Sequence, residues 1–361
     1  MSKLQELIKK LCPDGVEFRK LGEVCKIMNG KDYKHLNNGI YPVYGSGGIM
    51  NYVDNFVYDK PSVLLPRKGS IGNVFYVDSP FWTVDTIYWT RINTNFIIPK
   101  FLYYYIKTQN LEGKNTAIGA VPSLTQSVLN KIEIPLPPLE VQSEIVRILD
   151  AFTAHTAELQ AELQAELQAR KEQYEYYRNK LLNIPRGAIL ELKIGEIYEF
   201  KYGVGNKIPT NPGEYPVYGS NGIVGSYNMY NNEDAPVIGH IGAYAGIVNW
   251  AKGKHFVTYN GVICKCINNM VNHRYGYYLL LLQNYISKAK TGSQPFISYD
   301  ILKEPVVRIP SLSEQQRIVS ILDKFESLVN DLSEGLPAEI AAVQEQYEYY
   351  RNKLLTFKRK S

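Results

Sequence analysis

The sequence predicts an α+β protein built as a tandem repeat, in which a globular domain of mixed strands and helices is followed by a long helix, twice over. Two repeated segments and one shared helical periodicity predict this fold class. EQYEYYRNKLL occurs at 172–182 and at 345–355, and YPVYGS occurs at 41–46 and at 215–220. Because both pairs are separated by almost the same number of residues, the chain is predicted to hold two copies of one structural unit.

The globular part of each copy is predicted from short β-prone runs bounded by Gly, Pro, Asn and Asp, at 74–77, 86–89, 235–238 and 261–263. Apolar and aromatic segments at 98–105 and 275–280 are typical of buried helices. The predicted boundaries are 1–137 for the first domain, 138–183 for the first long helix, 184–310 for the second domain and 311–361 for the second long helix.

Each long helix is predicted from a coiled-coil periodicity. Residues along 145–181 and along 318–354 recur at steps of three and four, with one extra step of four at the same place in both. Helices that share such a stutter are natural packing partners. The residues predicted to form the seam of this helix pair are Leu149, Phe152, Leu159, Leu163, Leu167, Leu322, Phe325, Leu332, Leu336 and Ile340.

The first helix contains three consecutive AELQ units at 157–168. Each unit adds about 6 Å of helix and turns its face by about 40°. The segment is therefore interpreted as a spacer whose length can change in discrete steps, although a plain coiled-coil spacer is the simpler interpretation. In the second helix, Gly335-Leu336-Pro337 predicts a kink or a short break, because proline has no amide hydrogen.

Composition excludes several classes of protein. The 361 residues are 45% hydrophobic, which excludes a disordered chain, and no apolar run approaches the ~20 residues that span a bilayer. The N-terminus lacks the features of a signal peptide, and four cysteines in so long a chain form no disulfide framework. These features predict a soluble, cytoplasmic protein.

Motifs of catalysis are absent from the sequence. It contains no P-loop, no dinucleotide-binding glycine fingerprint after a strand, no HExxH and no GxSxG. Cys264, Cys266 and His273 resemble metal ligands, but their spacing does not fit a zinc finger, and structural cysteines are the favoured interpretation. No catalytic residue and no metal site is therefore predicted.

Four pairs of polar loops, in two globular domains that are each net basic, indicate a DNA-binding face. The pairs are 31–35 with the segment at 207, 45–48 with 219–222, 67–73 with 239–244, and 114–123 with 288–294. Glycine-rich loops bring backbone N–H groups close to phosphate, Lys and Arg neutralise phosphates, and Ser, Asn, Gln, Tyr and Arg can read base edges. Any one loop alone is more often a tight turn or a solvated surface. The candidate DNA-binding residues are Lys31, Lys34, Ser46, Arg67, Lys68, Ser70, Asn73, Thr116, Ser123, Lys207, Ser220, Asn221, His240, Tyr244, Lys288, Lys290, Thr291, Ser293 and Gln294.

Several segments together carry a family resemblance. They are PVYGSGGI, RKGSIG, PSLTQ, IPLPPLEVQSEIVRILD, the AELQ units, and LPAEI followed by QYEYYRNKLL. Over nearly the whole chain they resemble the specificity subunit of type I restriction–modification enzymes. The resemblance implies two target recognition domains, each of which reads one half of a bipartite DNA target, joined by two long antiparallel coiled-coil helices.

The resemblance also implies partners and cofactors. The helices would set the spacing of the half-sites and dock two methyltransferase subunits for adenine methylation, and a restriction subunit with motor and nuclease activity would join them. S-adenosylmethionine, ATP and Mg²⁺ would be used by those partner subunits, whereas this chain would bind no cofactor and no membrane. Tyr176 and Tyr349 fall off the predicted seam, so they are candidates for contact with a partner subunit.

Two other functions are compatible with the same sequence. The chain could be a coiled-coil protein-interaction scaffold without a DNA role, an alternative that the small net charge of +5 leaves open. It could also be an orphan or decoy specificity protein without restriction activity. Salt-dependent, sequence-selective binding of DNA would distinguish a recognition subunit from the scaffold.

Overall fold

The computed structural model describes residues 3–115, 121–185, 190–205, 212–290, 292 and 294–360, except for the side chains of Leu332 and Glu334. The chain divides into two compact units. Unit 1 comprises Met1–Glu162 and Ala338–Ser361, and unit 2 comprises Leu163–Pro337. Each long helix is thus divided between the two units. Among the residues that the structure describes, no helix combines the length and the apolar character needed to cross a membrane.

The N-terminal segment of unit 1 begins with a short helix and continues to Glu162, within the first long helix. In chain order its elements are α1 (Lys3–Leu11), β1 (Glu17–Lys20), α2 (Leu21–Val24), β2 (Cys25–Asn29), β3 (Asn38–Gly45), β4 (Gly48–Val53), β5 (Ser62–Pro66), β6 (Phe75–Val77), β7 (Trp82–Thr83), β8 (Ile87–Ile92), α3 (Pro99–Ile106), α4 (Gln126–Leu129), β9 (Glu133–Leu136) and α5 (Leu139–Leu182). The predicted strands at 74–77 and 86–89 are confirmed as parts of β6 and β8, and the predicted helix at 98–105 is α3.

Unit 2 repeats this order and ends in the second long helix. Its elements are β10 (Leu190–Lys193), α6 (Ile194–Ile197), β11 (Tyr198–Tyr202), β12 (Tyr215–Gly219), β13 (Gly222–Tyr227), β14 (Asn232–Gly239), β15 (Val248–Val257), β16 (Gly261–Cys266), α7 (His273–Leu282), α8 (Tyr285–Lys288), α9 (Tyr299–Lys303), β17 (Val306–Ile309) and α10 (Leu312–Leu354). The predicted strands at 235–238 and 261–263 lie in β14 and β16, and the predicted helix at 275–280 lies in α7.

The two units share one strand order but differ in how the strands are joined into sheets. Unit 2 has a six-stranded sheet in the order β11-β16-β14-β15-β12-β13, in which β12 runs parallel to β15. In unit 1 the same pattern is split into a four-stranded sheet, β2-β8-β5-β6, and a three-stranded sheet, β4-β3-β7. Pro80 lies in the gap between β6 and β7, where the split occurs, and proline cannot donate a ladder hydrogen bond. A separate antiparallel pair, β1-β9 or β10-β17, completes each unit.

The core of each unit includes parts of both long helices. In unit 1, Ile145 and Leu149 from the start of α5 are fully buried with Phe101 of α3, and Leu355 joins them just beyond the end of α10. In unit 2, Ile318 and Leu322 from the start of α10 pack in the same way with Leu182 from the end of α5. The globular domain and the helix ends therefore bury one continuous apolar surface, which is the main stabilising contribution in each unit.

A buried glutamine fixes the start of each long helix to its domain. The Gln142 side chain accepts a hydrogen bond from Ile98 N at 2.8 Å and donates to the carbonyl oxygens of Phe96 and Pro137. Gln315 makes the equivalent three contacts in unit 2, where its amide oxygen accepts from Asn272 N at 2.7 Å. Both side chains are fully buried, so each contact replaces a lost hydration partner.

In each unit, an ion pair beside an aromatic side chain makes a second connection between the globular domain and its long helix. In unit 1, Lys100 lies 2.8 Å from Asp150 of α5, and the Tyr104 hydroxyl donates to the same carboxylate at 2.5 Å. The Lys100 ammonium also lies 5.7 Å from the centre of the Tyr76 ring. Such a cation is stabilised by the ring quadrupole and by the ion pair together.

Unit 2 has a larger version of this cluster. The Arg274 guanidinium donates to Asp323 and to Glu326, both at 2.6 Å, and lies 4.8 Å from the centres of the Trp250 and Tyr277 rings. Its side chain is only 22% exposed. The ion pairs raise the pKa of Arg274 although burial alone would lower it.

The two long helices pair antiparallel, as the resemblance implies. In unit 1, Phe152 of α5 stacks on Tyr350 of α10 with ring centres 6.0 Å apart. In unit 2, Tyr177 stacks on Phe325 with ring centres 5.6 Å apart. Residues that increase along α5 thus meet residues that decrease along α10, and each pair is the repeat-equivalent of the other.

The predicted seam shows graded burial. Leu149 and Leu322 are fully buried. The intermediate seam positions are half-buried between more exposed neighbours, namely Leu159, Leu163, Leu167, Phe325, Leu336 and Ile340. Phe152 is partly exposed but stacks on its partner, and the side chain of Leu332 lies outside the described residues.

Of the two outcomes predicted at Gly335-Leu336-Pro337, a kink or a short break, the short break does not occur. Helix α10 runs through Pro337 without interruption from Leu312 to Leu354. Proline removes one amide donor but leaves the remaining ladder intact, so a helix with a long paired face tolerates it at an exposed position.

Helix α1 packs against the start of α5 through Glu144. This carboxylate accepts hydrogen bonds from Arg147 at 2.7 Å and from Lys3 of α1 at 2.9 Å. The two contacts hold the pKa of Glu144 at about 2, below its ordinary value of 4.5. Because the pKa is lower in the folded state, this stabilisation is fully present above pH ~4.5 and is lost as the pH falls toward 2.

Glu144→Gln is therefore expected to lower the melting temperature at neutral pH, and the difference from the wild-type chain is expected to shrink steadily between about pH 4.5 and about pH 2. Thermal unfolding over a pH series measures it. Glu140→Gln changes an exposed carboxylate one turn earlier and serves as the matched control. A Glu144→Gln difference that is independent of pH would show that the ion pairs do not stabilise the fold.

The residues after α10 return to the N-terminal part of unit 1. Val16 N donates to the Lys358 carbonyl and Lys360 N donates to the Val16 carbonyl, both at 2.9 Å. Arg359 pairs with Glu133 of β9 at 2.6 Å. A side chain at Gly15 would lie 2.6 Å from the Lys358 carbonyl oxygen, so this close approach requires glycine.

Candidate nucleic-acid interface

In unit 1 the predicted polar loops meet around one short connection, residues 83–86, between β7 and β8. Lys31 N donates to the Thr83 carbonyl at 2.8 Å, and Ser46 N donates to the Thr86 hydroxyl at 3.2 Å. A Cβ at Gly30 would lie 1.9 Å from the Val84 carbonyl oxygen, so only glycine lets the two segments approach. Two of the four loops are thereby fixed to this connection.

The Arg67 loop follows β5 and packs on the same connection. The backbone N–H groups of Arg67 and Lys68 both donate to the Thr86 carbonyl, at 3.0 and 3.1 Å. The Arg67 guanidinium donates to the Asp85 carbonyl at 3.1 Å, and the Lys68 ammonium lies 3.7 Å from the Asp85 carboxylate. The Asn73 amide donates to the Ser46 carbonyl at 2.9 Å. These contacts orient two cations and an amide beside the glycine turn.

The segment before α4 supplies the fourth side of this cluster. Leu124 N donates to the Arg67 carbonyl at 2.8 Å, and Gly69 N donates to the Pro122 carbonyl at 3.0 Å. Further along, the Gln126 amide nitrogen donates to Asn29 Oδ1 at 3.1 Å. The structure thus brings together the first three loops that the sequence predicts for unit 1 and the described end of the fourth, at residues 121–123.

The predicted residues of unit 1 lie mainly at the surface. Lys31, Lys34, Lys68, Ser70 and Asn73 are exposed, and Ser46, Arg67 and Ser123 are half-buried. The Arg67 guanidinium carbon lies 5.7 Å from the centre of the Tyr88 ring, which keeps the side chain extended. Thr116 lies outside the described residues.

Unit 2 builds the same backbone arrangement around its own connection, residues 258–260, between β15 and β16. His240 N donates to the Asn260 carbonyl at 2.8 Å, as Arg67 N does to Thr86 in unit 1. Ile297 N donates to the His240 carbonyl at 2.9 Å, as Leu124 N does to Arg67. Position by position, the two units therefore present equivalent loops.

The side chains at these positions are aromatic in unit 2. The Tyr202 ring lies between His240, at 4.2 Å, and Tyr299, at 4.4 Å, measured between ring centres. Tyr259 meets the His240 ring edge-on at 5.1 Å. Burial lowers the pKa of His240 and so favours the neutral ring, whereas a hydrogen bond with the Tyr259 carbonyl opposes this shift.

The predicted residues of unit 2 are placed less uniformly. Asn221, Tyr244, Lys288, Lys290 and Gln294 are exposed, and Ser220 is half-buried. The prediction includes His240 among the DNA-binding residues, whereas the structure leaves it only 6% exposed, because the ring stack covers it. Lys207, Thr291 and Ser293 lie outside the described residues.

Sequence reasoning missed six side chains of these clusters, namely Asn29, Asp85, Gln126, Tyr202, Tyr259 and Tyr299. None of them lies in a sequence motif that marks it as a DNA-binding residue. The offset of the repeat places Asn29 opposite Tyr202 and Gln126 opposite Tyr299, and this is the signal that could have found these four.

The surroundings of the two cysteines of unit 2 indicate a structural role. Burial raises the pKa of Cys264 and of Cys266, and the Cys266 thiol donates to the Asn268 carbonyl at 3.7 Å. Across the described part of the chain, His, Cys, Asp and Glu side chains form no group of three that could hold a metal ion.

Comparisons with known proteins agree with this architecture. The family model of the type I restriction modification DNA specificity domain matches residues 13–169 and 190–342. The chain is 35% identical to a putative type I restriction enzyme specificity subunit of Haemophilus influenzae, over 95% of this chain and 96% of that protein. It is 30% identical to the specificity subunit of a type I restriction enzyme of Escherichia coli, over 99% and 98% of the two chains.

Two solved structures share the fold. One, from work on complex assembly and conformational transition of the type I R-M system, aligns with a TM-score of 0.71 at 17% identity, over 95% of this chain and 98% of that one. The HsdS subunit from Thermoanaerobacter tengcongensis aligns with a TM-score of 0.54 at 17% identity, over 96% and 97%. With two matched domain copies and relatives similar over nearly their whole length, the chain belongs to the family of type I restriction–modification specificity subunits.

Proposed function

We propose that this chain is the non-catalytic recognition subunit of a type I restriction–modification complex, in which each unit reads one half of a bipartite DNA target. The observation that carries the proposal is the pair of equivalent loop clusters, which share one backbone arrangement and differ in their side chains. A shared backbone places both clusters on DNA in the same way, and different side chains select different bases. A protein-interaction scaffold would have no need of this combination.

The helices supply the second part of the proposed function. We propose that they set the spacing of the half-sites. Tyr176 and Tyr349 are 61% and 60% exposed, as expected of equivalent contacts for two copies of one partner. We propose that two adenine methyltransferase subunits dock on these repeated helix ends, and that a restriction subunit joins the complex.

The chemistry would then belong to the partners. The methyltransferase subunits would use S-adenosylmethionine, and the restriction subunit would use ATP and Mg²⁺. This chain would bind no cofactor itself, and its residues would bind and orient DNA. Such a complex would work in the cytoplasm.

Reversing the charge of the Arg67 loop tests the proposal. In the complex with the methyltransferase subunits, Arg67→Glu with Lys68→Glu is expected to weaken binding to the target duplex at least 10-fold at about 0.1 M salt. The slope of log affinity against log salt is expected to fall by about 1 for each of the two cations that neutralises a phosphate. Competition binding at two salt concentrations measures both quantities.

Lys9→Glu with Lys10→Glu makes the same charge change on exposed residues of α1 and is the matched control. Gel filtration should show that both variants assemble. Unchanged DNA affinity in the Arg67 loop variant, or a wild-type complex that binds all duplexes equally, would contradict the proposed function.

A further inference from the structure

We propose that four equivalent positions determine the base specificity of the two units, and that unit 1 reads purines by hydrogen bonds whereas unit 2 reads thymine through its methyl group. This inference rests on the proposed function and adds the residues and the base chemistry. The specificity positions are Asn29, Arg67, Asp85 and Gln126 in unit 1, and Tyr202, His240, Tyr259 and Tyr299 in unit 2.

Backbone contacts establish that these positions correspond. The Arg67 guanidinium donates to the Asp85 carbonyl, and the His240 ring nitrogen contacts the Tyr259 carbonyl at 3.3 Å. Lys68 forms an isolated bridge with Ser123, and Ile241 forms the same bridge with Phe296. Equivalent backbone segments thus carry unlike side chains at one site, as expected where function rather than folding selects the residue.

The remaining pair of positions is in direct contact in both units. Gln126 donates to Asn29 at 3.1 Å in unit 1. In unit 2 Tyr299 stacks on Tyr202, and the Tyr299 hydroxyl accepts from Tyr202 N at 2.7 Å. One contact between the strand end and the helix start is therefore an amide pair in one unit and a ring pair in the other.

The amide pair of unit 1 has hydrogen-bonding capacity left over. With Gln126 Nε2 bound to Asn29 Oδ1, the Asn29 amide nitrogen and the Gln126 amide oxygen have no side-chain or backbone partner among the described residues. One donor and one acceptor side by side match the N7 acceptor and the N6 amino group of adenine in the major groove. Arg67 uses Nη1 for the Asp85 carbonyl and keeps further donors, which match the two acceptors of guanine.

The ring cluster of unit 2 has neither the amide pair nor the guanidinium of unit 1. The Tyr299 hydroxyl is occupied by Tyr202 N, and the His240 ring is buried under the ring stack. Tyr259 is 40% exposed and Tyr202 and Tyr299 are half-buried, which leaves apolar ring surface for contact. Among base edges in the major groove, the thymine methyl group is the one suited to such a surface. His240 acts as a positioning residue behind the rings.

Base analogues in the target of the wild-type complex test the proposal without changing the protein. Methylome sequencing first identifies the two half-sites, and each is assigned to its unit by exchanging residues 1–137 for those of a relative. Replacing purines of the unit 1 half-site by 7-deaza analogues is expected to weaken binding about 5- to 150-fold at the contacted base. Replacing thymines of the unit 2 half-site by deoxyuridine is expected to weaken binding at the contacted base, whereas 7-deaza purines there have little effect.

Variants give the second measurement. Asn29→Ala with Gln126→Ala is expected to relax base preference in the unit 1 half-site only. Tyr259→Ala, which removes the most exposed ring of the cluster, is expected to abolish the deoxyuridine effect in the unit 2 half-site only. Lys34→Ala, an exposed neighbour outside the set, is expected to lower affinity for all duplexes equally. Variants that weaken all targets equally and leave base preference unchanged would assign these residues a structural role and overturn the inference.

Different results would refute the proposed function and the inferred base chemistry. A wild-type complex without a bipartite target would refute the proposed function itself. A bipartite target whose unit 1 half-site tolerates 7-deaza purines, and whose unit 2 half-site tolerates deoxyuridine, would leave the proposed function standing and refute the base chemistry inferred here.

Discussion

Deleting one AELQ unit, residues 161–164, is expected to shorten the recognised spacer by one or two base pairs while both half-sites stay unchanged. The deletion removes about 6 Å of helix, against about 3.4 Å per base pair. A target with the original spacer is expected to bind at least 100-fold more weakly, because the contacts of the second half-site, each about 1–3 kcal/mol, can no longer form together with the first. Methylome sequencing and competition binding against duplexes with graded spacers measure this.

A variant that preserves the length of the helix is the control for this deletion. Glu162→Ala with Gln164→Ala changes the same AELQ segment without changing the length of the helix, and this variant is expected to keep the original spacer. A changed half-site with the old spacer would contradict the spacer role of the helix.

Arg274→Met is expected to lower the stability of unit 2 by about 2–4 kcal/mol, the largest effect expected of a single substitution here. The substitution keeps most of the side-chain volume between the Trp250 and Tyr277 rings but leaves Asp323 and Glu326 without their cation. Glu326 is only 23% exposed, so it is poorly compensated by water. Urea unfolding, combined with hydrogen exchange of α7, measures the loss in unit 2.

Lys100→Met is the matched variant in unit 1. Its ion pair with Asp150 joins two side chains that are about one-third exposed, at 35% and 36%, so its removal is expected to cost only about 0–1 kcal/mol. Equal losses for the two variants would show that the second carboxylate and the tighter ring contacts of unit 2 contribute nothing.

The long helices were the most predictable part of the fold. Their apolar spacing is local information that repeats over many turns, and both helices start within one residue of the predicted boundaries. The predicted end of the second helix at 361 is wrong, because α10 ends at Leu354 and the residues beyond it pair with the segment at Val16. The tolerance of Pro337 was not predictable in the same way, because it depends on the paired face that holds α10 on both sides of the proline. Local propensity argues for a break there and tertiary packing overrides it.

The candidate site was predicted loop by loop but not as a set of facing side chains. Arg67 and Ser46 are conspicuous beside glycines, and the structure brings their loops together. Asn29 and Gln126 are far apart in the sequence and meet only because β2 ends beside α4, a long-range contact that no local pattern encodes. The split of the unit 1 sheet at Pro80 likewise depends on pairing between distant strands.

The contact between residues 355–360 and the segment at Val16 has a consequence for synthesis on the ribosome. Unit 2 is continuous in sequence, so it can finish folding as soon as its last residues emerge. Unit 1 needs Leu355 in its core and the Lys358 carbonyl beside Val16, and those residues are translated after all of unit 2. The first-made domain therefore waits, partly open, for the end of translation, and a nascent chain stalled before α10 is complete would present its apolar surface to chaperones.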